Sequence, residues 1–304
     1  MAQVELPLGS RLAGRADNEE RIRPLPHAGR HVGAVVVGAA AILVAVSIAK
    51  NPHLQWGVIG TYLFEPVTLR GVATTLELTV IAMAIGVVGG VIVAIMRMSD
   101  SYVLRIVATG YVTVFRSAPV LVQILVWGYL GALYPKLLVG IPFTGIHFLD
   151  VRTSSVVGAY TAAILALGLN EIAYAAEIVR GGLQAIPVGQ REAAESLGLG
   201  RRATMRRIVL PQAMRVIVPP MGNEVITMLK TTALVSVIGG DDLLTRMENI
   251  YAQTYQVIPL LAVASIWYLA LTAALTLLQG RLERRYGKAF SPGRRGALGA
   301  AGRR

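Results

Sequence analysis

Residues 72–96 read VATTLELTVIAMAIGVVGGVIVAIM, an almost uninterrupted apolar run. A helix that crosses a bilayer needs about 20 mostly apolar residues. Inside the hydrocarbon layer every backbone donor and acceptor must be satisfied within the segment or by a closed sheet. The run is too long for a strand and does not alternate, so it predicts a transmembrane helix.

Five further stretches resemble this run, some with one polar interruption. They are residues 33–49, 112–134, 155–179, 210–238 and 257–279. The composition agrees, since 54% of the 304 residues are hydrophobic and 15% are charged, against about 25% charged residues in an ordinary soluble domain. The sequence therefore predicts an all-α polytopic membrane protein with six transmembrane helices.

Lysine and arginine are unevenly divided between the two sides that these spans define. With the N-terminus inside, 23 of the 29 basic residues fall on the inner side and five on the outer side. Positive charge is retained on the cytoplasmic side of a membrane. Both termini are therefore predicted to be cytoplasmic, with basic tails at 1–32 and 281–304. Residues 33–49 are predicted to be an extra N-terminal transmembrane helix.

Several kinds of site are missing from the sequence. There is no cysteine, which excludes disulfides and thiolate metal sites. The four histidines are scattered and form no metal-binding motif, so neither a metal site nor a catalytic residue is predicted. No phosphate-binding G-x-x-x-x-G-K-[ST] loop occurs, so the chain should not bind ATP itself. The net charge is +12, and the basic residues cluster between long uncharged runs. This placement favours loops of a membrane protein over a nucleic-acid-binding surface.

The predicted inner segment between the fourth and fifth spans is AEIVRGGLQAIPVGQREAAESLGLGRRATMRRIVLPQAM, residues 176–214. Four of its residues are predicted to end the fourth helix and turn the chain, namely Gly181, Gly182, Pro187 and Gly189. Residues 190–197 then predict a short helix with a small apolar face. Such a helix could dock into a groove on a partner, or it could be an ordinary surface helix of the loop.

The same segment resembles the EAA loop of ABC-importer permeases. That motif is Glu-Ala-Ala, three residues, Gly, nine residues, Ile, one residue and Leu-Pro, and every spacing is matched here. The matching residues are Glu192, Ala193, Ala194, Gly198, Ile208, Leu210 and Pro211. The stretches AEIVRGGLQAIPVGQ and FRSAPVLVQ (115–123) resemble the polar-amino-acid branch of that family, which includes histidine, glutamate, glutamine, arginine and opine permeases.

The resemblance covers about 70–280 and implies a type I ABC importer permease core in that region, with a cytoplasmic coupling loop at 181–209. It implies that the seven motif residues couple the permease to a separate ATPase, and that Gly198 allows the turn after the short helix. It further implies two ATPase subunits that carry ATP and Mg²⁺, an extracytoplasmic solute-binding protein and a second permease chain, identical or related. No cofactor is expected on this chain, and its expected location is the bacterial inner membrane.

Polar and ionisable residues inside predicted spans are costly and mark candidate functional sites. The candidates for the substrate path are Gln123, Asn170, Glu171, Asn223, Glu224, Lys230, Thr231 and Ser236. They could face a translocation cavity at a subunit interface, where they would meet the carboxylate and ammonium of an amino acid. They could instead be polar contacts between helices.

Two other functions fit parts of the sequence. An ion channel or secondary transporter would also need polar residues in its spans, but it leaves the EAA-like segment unexplained. An intramembrane enzyme could use Glu171 or Glu224 as an acid or base. The resemblance favours a permease subunit of an ATP-driven importer of polar amino acids.

Overall fold

The computed structural model describes residues 28–140 and 147–287. It contains two compact units, residues 1–52 and 53–304, which are described separately. Most of each predicted tail, 1–27 and 288–304, lies outside the described residues. In the first unit, α1 (Ala28–Lys50) contains the predicted first span and begins four residues before the predicted end of the basic tail.

The first part of the second unit is helical. These are α2 (Trp56–Leu63), α3 (Pro66–Arg97), α4 (Tyr102–Ser117), α5 (Val120–Gly128) and α6 (Leu130–Leu133). A two-stranded antiparallel ladder follows, with β1 (Lys136–Gly140) and β2 (His147–Arg152). The remaining helices are α7 (Thr153–Val156), α8 (Ala159–Gln184), α9 (Val188–Ser196), α10 (Arg201–Thr204), α11 (Leu210–Thr231), α12 (Leu243–Thr254) and α13 (Val257–Gly287).

The centre of the bundle is the close packing of α3 against α8. Glycines on α3 make this possible, because a Cβ on Gly86 would lie 2.1 Å from Cγ of Glu171 and one on Gly90 would lie 2.5 Å from Cβ of Ala175. Two backbones can approach this closely only where one side lacks side chains. The buried residues Leu78, Ala82 and Leu167, among others, form an apolar core around the contact.

The predicted third span at 112–134 is not a single straight helix. The chain forms two helices, α4 and α5, that meet at an angle of 99°. Pro119 lies at the break and has no backbone N–H, so a straight helix would lose the hydrogen bond to the carbonyl of Phe115. The apolar pattern alone did not reveal the bend, because both arms are equally apolar.

The fourth helix, α8, ends at Gln184, between the predicted terminating residues Gly182 and Pro187. Gly182 is buried because α11 packs against it: a Cβ there would lie 2.3 Å from Cγ1 of Ile217. The predicted fifth span at 210–238 is α11 followed by a 3-10 helix, Thr232–Ile238. The fourth and sixth predicted spans correspond to α8 and α13.

Among the described residues, four helices are long and apolar enough to cross a bilayer, namely those that contain Gly33–Lys50, Pro66–Arg97, Ala159–Gln184 and Val257–Arg285. The bent α4–α5 pair could make a fifth span. The helix α11 is not among them, because charged residues and two prolines lower its apolar character. The helical membrane architecture is confirmed, while the count of six spans stays a prediction.

Several short elements were not predicted, including α2, α12 and the strand pair. Asp242 caps α12 by accepting hydrogen bonds from the backbone N–H groups of Leu244 and Thr245, both at 3.1 Å. Its carboxylate also accepts a hydrogen bond from the Tyr268 hydroxyl on α13. Burial raises the pKa of Asp242 above its ordinary value, and the hydrogen bonds from Thr245 oppose this shift.

Candidate functional site

A polar cavity of about 400 Å³ lies where the α4–α5 bend meets α8 and α11. Four of the predicted path residues line it: Asn170, Glu171, Glu224 and Thr231. Cavities of a few hundred cubic ångströms are large enough for a small polar molecule. The tertiary structure thus brings together residues that lie up to 61 positions apart in the sequence.

The bend that forms one wall of this cavity is fastened by side-chain amides. Nε2 of Gln123 donates to the carbonyl oxygens of Phe115 and Ala118, at 2.9 Å each. Nδ2 of Asn170 donates to the same Phe115 carbonyl at 3.1 Å. Pro119 cannot supply the N–H for that carbonyl, so these amides satisfy a backbone group that would otherwise be unpaired.

The cavity wall carries both acidic and basic side chains. Glu171 on α8 is 2% exposed, and its Oε1 has no hydrogen-bond partner among the described residues. Glu224 on α11 lines the same space, and so does Arg116 at the end of α4. The Arg116 guanidinium lies 5.2 Å from the centre of the Tyr174 ring, within the range of a cation–π contact. The cavity therefore offers ionisable groups of both kinds to a zwitterionic ligand.

The other predicted path residues have different surroundings. Gln123 is buried and holds the bend rather than lining the cavity. Asn223 and Lys230 are exposed on α11 outside the cavity wall. Ser236 lies in the 3-10 helix after α11, where its hydroxyl donates to Glu248 at 3.5 Å. The predicted set therefore comprises four cavity residues, one buried brace and three residues elsewhere.

Sequence reasoning missed several residues that line the cavity. Arg116 lies in the stretch FRSAPVLVQ and is not among the residues predicted for the path. Tyr174 lies one helical turn after Asn170 and lines the same wall, as do Ser117 and Thr227. The available signal was a cation directly before a Ser-Ala-Pro break in an apolar stretch, which indicates an interrupted helix beside a polar space.

The predicted short helix is α9, and its end is set by Gly198. The backbone N–H of Leu199 donates to the carbonyl of Ala194 at 3.0 Å, and that of Gly198 donates to Glu195 at 2.9 Å. This pair of bonds with a left-handed residue is the Schellman arrangement. Gly198 has φ of +76°, whereas a Cβ there would meet nothing within 4 Å. The turn therefore requires glycine for its backbone angle and not for lack of space.

One side of α9 packs on the protein and the other is free. Ala194 is 1% exposed, while Glu192 and Ala193 are exposed. Leu197, directly before the turn, is 82% exposed. Within the chain, α9 therefore presents charged and apolar residues that no described element covers.

The remaining motif residues connect α9 to the bundle. Ile208 lies in a π-helical segment, Met205–Val209, and Leu210 and Pro211 begin α11 directly after it. Proline is favoured in the first turn of a helix, where its missing N–H has no partner to lose. The motif therefore runs from an exposed helix, through a widened helical turn, into a helix that lines the cavity.

An ion-pair cluster joins the neighbouring ends of α3 and α8. The carboxylate of Glu177 accepts hydrogen bonds from the guanidinium groups of both Arg97 and Arg180, and all three side chains are partly buried. Arg180 also donates to Gln184 at 2.6 Å. The cluster ties two central helices together near the segment that carries α9.

Comparisons with known proteins agree with this geometry. The family described as binding-protein-dependent transport system inner membrane component matches residues 86–288. The arginine transport system permease protein ArgU of Corynebacterium glutamicum is 41% identical over 268 residues, which cover 88% of this chain and 83% of that protein. The nopaline transport system permease protein NocM of Agrobacterium fabrum is 38% identical over 213 residues, which cover 70% of this chain and 85% of that protein.

Solved structures show the same architecture. A crystal structure of an amino acid ABC transporter with histidines matches with a TM-score of 0.60 and 38% identity, over 72% of this chain and 94% of that one. An inward-facing MetNI methionine ABC transporter matches with a TM-score of 0.55 and 20% identity, which shows the fold alone. The chain belongs to the family of inner membrane components of binding-protein-dependent transport systems and is a membrane-spanning permease subunit with a type I ABC importer core.

Proposed function

We propose that this permease subunit carries polar amino acids with a net positive charge. The observation that supports this most directly is the cavity at the α4–α5 bend, which holds Arg116 together with Glu171 and Glu224. A guanidinium can bind the α-carboxylate of an amino acid through two parallel hydrogen bonds. Two carboxylates then remain for an α-ammonium group and a cationic side chain.

The arginine permease ArgU supports this class of substrate, because arginine has a net positive charge. Nopaline and octopine, which appear in the names of two other relatives, share the guanidinium group but carry more than one carboxylate. The cavity would select cationic over acidic amino acids, because the second carboxylate of an acidic ligand would be repelled by Glu171 and Glu224. Asn223 and Lys230, which are exposed on α11, would complete the path if a second permease chain faces this helix.

The proposal also includes partners and orientation. Two cytoplasmic ATPase subunits would bind the exposed faces of α9, so that their closure on ATP moves α11 through the π-helical segment. A solute-binding protein would deliver the amino acid at the opposite side, and a second permease chain, identical or related, would enclose the path. Both termini would be cytoplasmic in the bacterial inner membrane, and the chain itself would bind no cofactor.

Reconstituted transport tests the proposal. The permease, the ATPase subunit and the solute-binding protein encoded beside it would be placed in proteoliposomes with radiolabelled arginine. We expect ATP-dependent uptake of arginine and little uptake of glutamate. Glu224→Gln should reduce the apparent affinity for arginine about ten-fold or more, because a charge-assisted hydrogen bond is worth about 1.5–3 kcal/mol.

The matched control is Glu77→Gln, which neutralises an exposed glutamate on α3 outside the cavity. It should leave the affinity for arginine unchanged. Equal affinities in all three proteins would remove Glu224 from the path. Arginine flux that needs no ATP would instead indicate a secondary transporter or channel, and chemical conversion of the amino acid by the permease alone would indicate an enzyme.

A further inference from the structure

A second cavity, separate from the polar one, forms an apolar groove of about 540 Å³. Residues from α3, α8, α11 and α13 line it, and its exposed polar surface is negligible. None of its lining residues belongs to the polar cavity. We call it the apolar groove.

The apolar groove is open to the surroundings of the chain. Val91, Ile95, Met205, Met214 and Leu282 line it, and each is between 37% and 61% exposed. Such a concave set of aliphatic and methionine side chains cannot hold an amino acid zwitterion, because it offers no hydrogen-bond partner. Its occupant must be apolar over the length of the groove.

The depth of the groove corresponds to one leaflet of a bilayer. On α3 it extends from Val87 to Ile95, two residues before the helix ends at Arg97. At a rise of about 1.5 Å per residue this is about 12 Å, and half of a hydrocarbon core is about 15 Å. The groove therefore runs from the ends of the helices toward the middle of the membrane.

Arginines are sequence neighbours of the lining residues at the end of the groove that lies at the helix ends. Arg206 and Arg207 directly follow the lining residue Met205, and Arg281 directly precedes Leu282, with Arg285 one turn later. All four are exposed. Within the described part of the chain, none of them forms a salt bridge with a carboxylate. Unpaired guanidinium groups at a membrane surface attract phosphate.

We propose that the apolar groove binds an acyl chain of an anionic phospholipid, whose phosphate is held by Arg206 and Arg207 with Arg281 and Arg285. The charge pattern favours a lipid over a second copy of this chain, because a second copy would bring its own arginines against these. The acyl chain gains little from leaving the surrounding lipid tails, which are as apolar as the groove, so the arginines supply the preference for an anionic lipid.

Native mass spectrometry of the full-length purified protein tests the proposal. The protein would be titrated with palmitoyl-oleoyl phosphatidylglycerol or with the matching phosphatidylcholine. We expect one phosphatidylglycerol to be retained preferentially. Val91→Trp, which fills the groove, should reduce the retention of both lipids, while Val88→Trp should not. Val88 lies on the same helix at a similar depth and is 64% exposed, but it does not line the groove.

A second pair of variants tests the arginines. Arg206→Gln combined with Arg207→Gln should lower the preference for phosphatidylglycerol about ten-fold or more. Arg201→Gln combined with Arg202→Gln removes the same charge from the same segment and should retain the preference. The proposal fails if both double variants lose the preference equally, if Val91→Trp retains lipid like Val88→Trp, or if Val91→Trp dissociates a dimer without loss of lipid.

Discussion

Gly86 on α3 lies directly against Glu171 on α8, so that a Cβ on the glycine would lie 2.1 Å from Cγ of the glutamate. The contact joins helix packing to the polar cavity, because Glu171 reaches that cavity from within the α3–α8 interface. The small residue therefore holds a buried carboxylate in place as well as allowing two helices to approach.

Gly86→Ala should displace Glu171 and destabilise the bundle by about 1–3 kcal/mol, the usual cost of overpacking a core. Thermal unfolding of the protein in detergent would measure the change. Gly110→Ala on α4 is the matched control, since a Cβ at Gly110 meets nothing within 4 Å. Equal midpoints for the two variants would contradict the close contact at Gly86.

Gln123→Leu should loosen the bend between α4 and α5. It removes two hydrogen bonds to carbonyl oxygens that a proline-broken helix leaves unpaired, and a buried unsatisfied group costs about 1–3 kcal/mol. Because the chain has no cysteine, spin labels can be attached at cysteines replacing the exposed Leu104 and Val126. The distance distribution between them should broaden in Gln123→Leu.

The control for the bend is Gln253→Leu, the same substitution at an exposed position of α12. It should leave the distribution between the labels narrow. If Gln123→Leu also leaves it narrow, Asn170 alone is sufficient to hold the Phe115 carbonyl and the brace assigned to Gln123 is wrong.

Gly198→Ala should weaken the attachment of the ATPase subunit by disturbing the end of α9. An alanine at φ of +76° costs about 1–2 kcal/mol. Gly198→Asn should restore much of the binding, because asparagine tolerates the left-handed conformation. Co-purification with the ATPase subunit and ATPase activity of the assembled complex would measure both effects.

Gly200→Ala is the control for this substitution, because Gly200 has an ordinary φ of −66° and open space around it. It should leave co-purification unchanged. Should Gly198→Ala behave like Gly200→Ala, the left-handed turn would not matter for the partner, and the proposed role of α9 would need another basis.

Glu177→Gln should destabilise the protein more than Asp150→Asn. Glu177 is the shared partner of Arg97 and Arg180 in a partly buried cluster, so its loss leaves two guanidinium groups without a counter-charge. Asp150 pairs with Lys136 where both side chains are at least half exposed, and such pairs contribute about 0–1 kcal/mol. Denaturation midpoints in one detergent would rank the two variants, and the reverse order would contradict this assignment.

The sequence was sufficient for the elements whose physics is local. The length and continuity of the apolar run at 72–96 predicted α3, because no other structure satisfies so long an apolar backbone in lipid. The spacing from Glu192 to Gly198 predicted α9 and its end, since the capping bonds and the positive φ belong to consecutive residues. The family followed from the same segment through the full EAA-like spacing.

The tertiary structure decided what depends on contacts between distant segments. The sequence predicted Gln123 in the substrate path. In the structure its side-chain amide donates to backbone carbonyls at the bend around Pro119 and does not line the cavity. The sequence predicted an end of the fourth helix between Gly181 and Gly189, and packing of Gly182 against Ile217 keeps that glycine within α8, which ends at Gln184. Arg116, Glu171 and Glu224 form one cavity because α4, α8 and α11 meet there, and no local pattern encodes which helices will be neighbours.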